Sequence, residues 1–521
     1  MKEKLLFLSS LSLLSPVAQG KEGNVRTQTQ EKPNFVFILL DDLAFDAIGQ
    51  SGRYPFLETP NISRLQNEGM TFQNCFAVHS LSSPSRASML TGQYSHTHGV
   101  TMNNAVDPNW SEHPSYPMLL QKSGYNTAFV GKIHMSLAGG KKAIRPGFDY
   151  WVSMKGQGEY YNCKINVNGK DTVCPEYITD ALTGYALDFL QNRKDKTKPF
   201  SLCLWHKAVH SPYTPAPRHE NLYEKERLPE PPNGTFKETF RNKPEWQRIR
   251  AMNTWKQRPV KGVIPSELPV RKWDPKEKKY FDILRALQSV DESIGKVMDY
   301  LESTGELDNT VIVFSSDNGY FMGDHTLIDK RIAYESSIRI PLIIRYPKMI
   351  QSKSTASEMC LSIDFAPTFL DLAGVQIPSS MQGESMKDIL QGKKNPEWRK
   401  SFLYEYFLED FYPKAGPGMV AVRTEQFKYV HSFVNGDSDE LYDLIKDPGE
   451  MVNLVDNKKY TEQLMLLKKE LATLQAKYQY NPDKDWWNKI IIPDRVDQWK
   501  DKGKNMNNRN NNKKNTPTEE E

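Results

Sequence analysis

The stretch Asn34-Phe35-Val36-Phe37-Ile38-Leu39-Leu40 is a nearly unbroken apolar run rich in β formers, and it stops on two carboxylates, Asp41-Asp42. A strand with one wet face alternates apolar and polar residues. A run without alternation has to be buried on both faces, as in the middle of a parallel sheet covered by helices. Similar runs recur at Phe200 to Trp205, Thr310 to Ser315 and Pro341 to Arg345, with further strands predicted at Thr71 to Val78 and Thr127 to Val130. Helical patterns fall between them, from Thr59-Pro60-Asn61 to about Gly69, at Tyr116 to Ser123, Thr179 to Asn192 and Pro275 to Glu302. This alternation predicts an α/β sandwich with a mainly parallel central sheet. Ligands of such sheets bind beyond the carboxyl ends of the strands, and polar residues crowd there in this chain.

With 521 residues the chain is too long for one small core. Residues 33–384 are expected to form the large domain. After Gly383 the pattern changes to short strands, at Ser401 to Tyr406 and within Met419 to His431, then a helix from Tyr460 to Tyr478. Residues 385–495 therefore read as a smaller α+β domain, and 501–521, rich in Asn and Lys, as a disordered tail. Tyr213 to Trp273 is rich in Pro, Lys and Arg and reads as a long surface insertion.

Lys2 and Lys4, the apolar stretch Leu5 to Leu14 and Ala18-Gln19-Gly20 have the layout of a signal peptide over residues 1–20. A periplasmic or secreted protein is the expectation. No later run approaches the roughly 20 apolar residues of a membrane span, so no membrane insertion is expected. The formal charge of +4 is too small to imply a nucleic-acid partner. None of the five cysteines has zinc-site spacing. Asn168-Gly169 is a hairpin turn signal that brings Cys163 and Cys174 together, and whether they are paired or free stays open.

Two acidic clusters end apolar strands: Asp41-Asp42 and Asp317-Asn318-Gly319. Alone, each is as readily a surface turn. Together they offer four oxygen ligands to a hard divalent cation at neighbouring strand ends. Ser82-Ser83-Pro84-Ser85-Arg86 opens a helix, with Ser82 expected at or before the N-cap, where an anion is favoured. Lys132 and His134 follow one strand, His206 and His210 another, and Lys330 lies beyond the second acidic cluster.

These motifs resemble the type I, formylglycine-dependent sulfatase family. The resemblance rests on Ser82-Ser83-Pro84-Ser85-Arg86 with Thr91-Gly92, and on Asp41-Asp42, Gly131-Lys132-Ile133-His134, His210-Ser211-Pro212, Ser316-Asp317-Asn318-Gly319 and Lys330, in the family's order. It extends from Asn34 to the region Leu441-Tyr442-Asp443-Leu444 and Asp447-Pro448-Gly449-Glu450. It implies an alkaline-phosphatase-like fold and one calcium ion held by Asp41, Asp42, Asp317, Asn318 and residue 82. It also implies oxidation of Ser82 to formylglycine by a radical-SAM maturase. A plain serine hydroxyl is a poor nucleophile without a base, whereas a hydrated aldehyde offers one hydroxyl to attack sulfur and a second whose deprotonation expels sulfate. Arg86, Lys132 and Lys330 would hold sulfate oxygens, His210 would serve as the acid and His134 as the base.

The resemblance points to a sulfated glycan substrate, with an exo-acting N-acetylglucosamine-6-O-sulfatase or a related glycosaminoglycan or mucin sulfatase favoured. His206, Lys207, Arg331 and Glu335 are candidate sugar contacts. Two alternatives remain open: a phosphodiesterase or phosphonate hydrolase on the same fold, and a sulfated-glycan binding protein with unmodified Ser82. Against the first, the Asp317 cluster lacks the adjacent His of a second metal site.

Overall fold

The computed structural model describes residues 31–48, 52–137, 144–234, 243–254, 274–409, 416–433 and 438–481. The expected signal peptide and the tail 501–521 lie outside the described residues.

The first apolar run forms the strand Asn34–Leu40 at the centre of a ten-stranded sheet. Its side chains divide between two cores. Val36, Ile38 and Leu40 pack on one face, and Phe35, Phe37 and Leu39 on the other. This double burial is the physical reason the run lacks alternation. The strand pairs in parallel with Phe200–Trp205 on one side and Thr310–Ser316 on the other. Asn126–Gly131 and Tyr150–Met154 continue the parallel set outward. Five parallel strands therefore end on one edge.

The outer strands depart from the parallel rule. Leu342–Arg345 runs antiparallel between Thr310–Ser316 and Met70–Phe76. Ser354–Leu361 then pairs in parallel with Met70–Phe76 at one border of the sheet. The other border is the hairpin Cys163–Val167 and Lys170–Cys174. Its turn has Asn168 and Gly169 both at positive φ, 48° and 87°, the conformation that Asn-Gly favours. Cys163 and Cys174 are opposite one another in register, as the turn requires, and both are free thiols.

On one face the long helix Lys278–Ser303 packs with Ile178–Asn192. Ser82–Thr91 and Phe365–Leu372 cover the other. A second, four-stranded antiparallel sheet comprises Ser401–Tyr406, Met419–Thr424, Phe427–Ser432 and Glu440–Asp443, and the helix Thr461–Lys477 packs on it. A third apolar core joins this sheet to Phe76, Val78, Leu81 and Tyr94 of the larger part. Among the described residues no helix is long and apolar enough to cross a membrane.

The insertion after Tyr213 is more than surface. In its described part, Lys243 is buried between the rings of Tyr334 and Tyr442. Arg250, on the helix Glu245–Thr254, donates to the carbonyls of Ile328 and Lys330 at 3.2 and 2.8 Å. Residues 255–273 lie outside the described residues.

Candidate active site

Parallel register brings the polar strand ends together. Leu40 is level with Ser316, so Asp41-Asp42 and Asp317-Asn318 emerge side by side. Gly131 pairs with Trp205, and Lys132 N donates to the Trp205 carbonyl at 2.8 Å. A Cβ at Gly131 would lie 1.9 Å from that carbonyl oxygen, so only glycine permits the approach. Gly319 is under a similar constraint, with a Cβ there meeting the Ser336 carbonyl at 2.3 Å.

The helix Ser82–Thr91 points its N-terminus into this edge. Ser82 is its first residue, one place past the expected N-cap position, which Leu81 fills without a side-chain cap bond. The Ser82 hydroxyl donates to Asp41 Oδ1 at 3.2 Å. The next polar residues fix the surrounding loops. Ser83 Oγ donates to the His134 carbonyl and Ser85 Oγ to the Asp317 carbonyl, each at 2.5 Å. Arg86 donates through Nε and Nη2 to Asp317 Oδ2 at 3.0 and 2.8 Å, and through Nη1 to the Lys132 carbonyl at 2.7 Å.

Three carboxylates therefore face three cations: Lys132 pairs with Asp41, Lys330 with Asp42, and Arg86 with Asp317. Asn318 Nδ2 donates to Asp42 Oδ1 at 2.8 Å, while its Oδ1 is buried without a hydrogen-bond partner. Asp41, Asp42 and His210 bring ligand atoms within 4.8 Å of one another, and His210 Nε2 is 3.7 Å from Asp42. His134 is buried with neither ring nitrogen partnered. Asp42, His134 and Arg331 all hold left-handed backbone, at φ 66°, 61° and 95°, a conformation that costs energy for non-glycine residues and gathers at functional sites.

Enclosure sets the protonation states. Burial alone would raise Asp41, but Lys132, His210, Arg86 and Lys330 hold it well below the usual carboxylate range. Burial and the charge of Asp41 push Asp317 up to about 6. Burial brings Lys132 down to about 8. Burial and neighbouring Lys132 hold His134 well below its ordinary value and bring His210 down to about 4. Burial opposes the charged form of Lys330, but Asp42 and Asp329 outweigh it and raise the amine above its ordinary value.

The four candidate sugar contacts separate. Arg331 sits beside Lys330 at the site, held by Asp329 and by Glu409 at 2.5 Å. His206 lies between sheet and helix, with Ser293 Oγ 3.2 Å from its Nε2. Glu335 is buried against Lys428 and Arg423 under the second sheet. Lys207 is 1% exposed and donates to the carbonyls of Gln157 and Ser211 at 3.2 and 3.0 Å. His206 and Glu335 are thus turned away from the strand edge, and a sugar-contact role does not suit them, whereas Lys207 lies beside the site with its ammonium used by two backbone carbonyls. Sequence reasoning missed Gln157, whose Oε1 accepts from Lys132 Nζ at 2.5 Å. Its only signal is a polar residue between Gly156 and Gly158.

An acid-rich strand edge neutralised by three cations, with a hydroxyl held at a helix N-terminus, suits an enzyme that cleaves anionic esters. Comparison with known proteins narrows the class. The chain belongs to the sulfatase family and is a sulfuric ester hydrolase: residues 33–375 match the family model described as Sulfatase, and residues 323–477 match the one described as N-sulphoglucosamine sulphohydrolase, C-terminal. It is 37% identical to an N-acetylglucosamine-6-O-sulfatase of Bacteroides thetaiotaomicron over 92% of both chains. It is 33% identical to the Homo sapiens N-acetylglucosamine-6-sulfatase, over 72% of this chain and 67% of that one. A solved structure of a protein in complex with its substrate, D-glucosamine-2-N,6-O-disulfate, superposes with a TM-score of 0.75 at 35% identity, covering 87% of this chain and all of that one.

Proposed function

We propose that the protein is an exported, exo-acting sulfatase that removes the 6-O-sulfate from N-acetylglucosamine residues of glycosaminoglycan or mucin chains, using Ser82 oxidised to formylglycine by a radical-SAM maturase. The observation that carries the catalytic part is Ser82 Oγ, which donates at 3.2 Å to the Asp41 carboxylate that Lys132 and Arg86 also face, with Lys330 on neighbouring Asp42. The likeness over 92% of the chain to an N-acetylglucosamine-6-O-sulfatase supports the sugar and the sulfate position.

The donor set fits calcium. Asp41, Asp42 and Asp317 offer hard oxygen ligands, and the unpartnered Asn318 Oδ1 supplies a neutral fourth, beside residue 82. A bound calcium ion would supply positive charge for the sulfate and acidity for the attacking hydroxyl. Formylglycine, once hydrated, would supply that hydroxyl and a second one through which sulfate is expelled. The chain's own residues do the rest. Arg86, Lys132 and Lys330 grip sulfate oxygens and offset charge developing in the transition state. Asp317 takes the proton of the attacking hydroxyl. His210 protonates the departing sugar oxygen. Its Nε2 faces the site, and the negative charge of a bound sulfate ester favours its charged form. His134, neutral because it is buried among cations, accepts the proton of the second hydroxyl. Arg331, next to Lys330, is the candidate sugar contact that remains.

Sulfate release from a panel of defined sulfated monosaccharides tests the reading. N-acetylglucosamine-6-O-sulfate should be turned over fastest. Preference for another sulfate position, or faster cleavage of aryl phosphate than of aryl sulfate, would contradict it.

A further inference from the structure

Two buried groups beside the site have no part in the chemistry just described. One is Lys207, whose ammonium lies 5.1 Å from the centre of the Tyr160 ring and donates to two backbone carbonyls. Burying an ammonium is costly unless its hydrogens are used, so the identity of those acceptors matters. The first is the Gln157 carbonyl, and the Gln157 side chain touches Lys132. The second is the Ser211 carbonyl. His210 Nδ1 lies 2.9 Å from that same oxygen, so its N–H donates there. An N–H on Nδ1 leaves Nε2 of the neutral ring facing Asp42 and the substrate side.

The other group is Tyr160. Its hydroxyl donates to the His210 carbonyl at 2.8 Å. The segment between is tied down as well: Asp41 N donates to the Ala208 carbonyl at 3.0 Å and Val209 N to the Asp41 carbonyl at 2.9 Å. Tyr160 and Lys207 thus hold the carbonyls of His210 and of the next residue, Ser211, the second being the oxygen that orients the His210 ring.

We propose that Lys207, seated on Tyr160, is a positioning residue that orients His210 through the Ser211 carbonyl. The inference rests on the reading of His210 as the acid. Partners that orient metal-bound imidazoles typically matter by about 10- to 100-fold, and the same scale is expected for the imidazole that acts as the acid here. Lys207→Met keeps the aliphatic stem on Tyr160 and removes the donors. Tyr160→Phe keeps the ring and removes one hydroxyl, a milder change should the first variant fold poorly.

A double-mutant cycle on N-acetylglucosamine-6-O-sulfate tests it, with every rate divided by the aldehyde content at residue 82 measured by mass. Lys207→Met should lower kcat by about 10- to 100-fold with KM changed less than about threefold. Tyr160→Phe should lower kcat less. In a His210→Ala background neither should cost more than about twofold further, because they act through a group already removed. Losses that multiply in that background, or a loss confined to KM, would overturn the inference. His210→Ala at the wild-type rate would overturn the assignment of His210 and with it this route. A wild type inactive on the sugar would count against the substrate reading alone. The crystal structure of Lys207→Met then decides: a Ser211 carbonyl turned away from His210 Nδ1 supports the inference, and an unmoved ring and carbonyl overturn it.

Discussion

The molecule buries two dense charge clusters, and they are finished differently. Under the second sheet, Lys428 Nζ reaches Glu335 Oε1 at 2.8 Å, Glu450 Oε1 at 2.7 Å and the Ala333 carbonyl at 2.8 Å. Glu450 Oε2 accepts from Glu335 N at 2.7 Å, and Lys243 closes the group through Tyr442. None of these side-chain atoms lacks a partner. At the strand edge the charges also pair, yet Asn318 Oδ1 and both nitrogens of His134 are buried without partners. Buried polar groups are nearly always satisfied in a cluster that serves only the fold. The closed network ties the second sheet to the larger part, and the open one coincides with the candidate active site.

The largest way to break this contrast is Ser82→Ala. Turnover should fall by about 10⁴-fold or more, while the melting temperature moves by only a few degrees. A variant that unfolds would place Ser82 in the framework. Lys428→Met should do the reverse. It leaves buried Glu450 without its cation and Glu335 with Arg423 alone, and should cost about 3–5 kcal/mol in denaturant unfolding, with kcat of the folded fraction changed less than about threefold. A large loss of kcat at unchanged stability would make that cluster part of the site.

Metal removal sharpens the same contrast. Calcium at about 100 times its Kd should stabilise the protein by about 3 kcal/mol. Asp317→Asn should abolish much of that gain, and Lys428→Met should leave it intact. Equal calcium responses in both variants would contradict the assigned ligands.

The smallest effect is a pH slope. Burial pushes Glu450 up from its ordinary 4.5 to about 7, so the folded state holds a proton that the unfolded state has lost. Stability from this group falls as pH rises from 4.5 to 7 and levels off above. Although burial opposes its charge, Lys428 and Arg423 bring Glu335 down to about 2. Its contribution is present above 4.5 and lost as pH falls towards 2. The unfolding free energy of the wild type relative to Glu450→Gln should therefore decline from pH 4.5 to 7 and stay level above, because the buried histidines and other titrating groups are common to both and cancel in the difference.

The central strands were legible because burial on both faces leaves a continuous apolar run. Phe200–Trp205 and Ser401–Tyr406 fall where composition puts them. Ser354–Leu361 was not legible: it lies at the sheet border, and exposed Thr355 and Ser357 dilute its pattern. Within the site, Asp41, Ser82, Arg86, Lys132 and Asp317 converge as parallel register requires once their strands are placed. What could not be read was direction. Lys207 and Glu335 carry charge in a chemically suggestive stretch, but only three-dimensional packing shows that they spend it on Ser211 and Lys428. Gln157 lies in a loop whose course depends on a hairpin formed later in the chain.

The most direct test of the central claim is to titrate aldehyde against activity. Preparations spanning a range of Ser82 conversion, quantified by the mass of the peptide that carries it, would be assayed for sulfate release from N-acetylglucosamine-6-O-sulfate. The account predicts a rate proportional to aldehyde content, passing through zero for the unconverted serine. Release by fully unconverted protein, or none from fully converted, calcium-loaded protein, would contradict it.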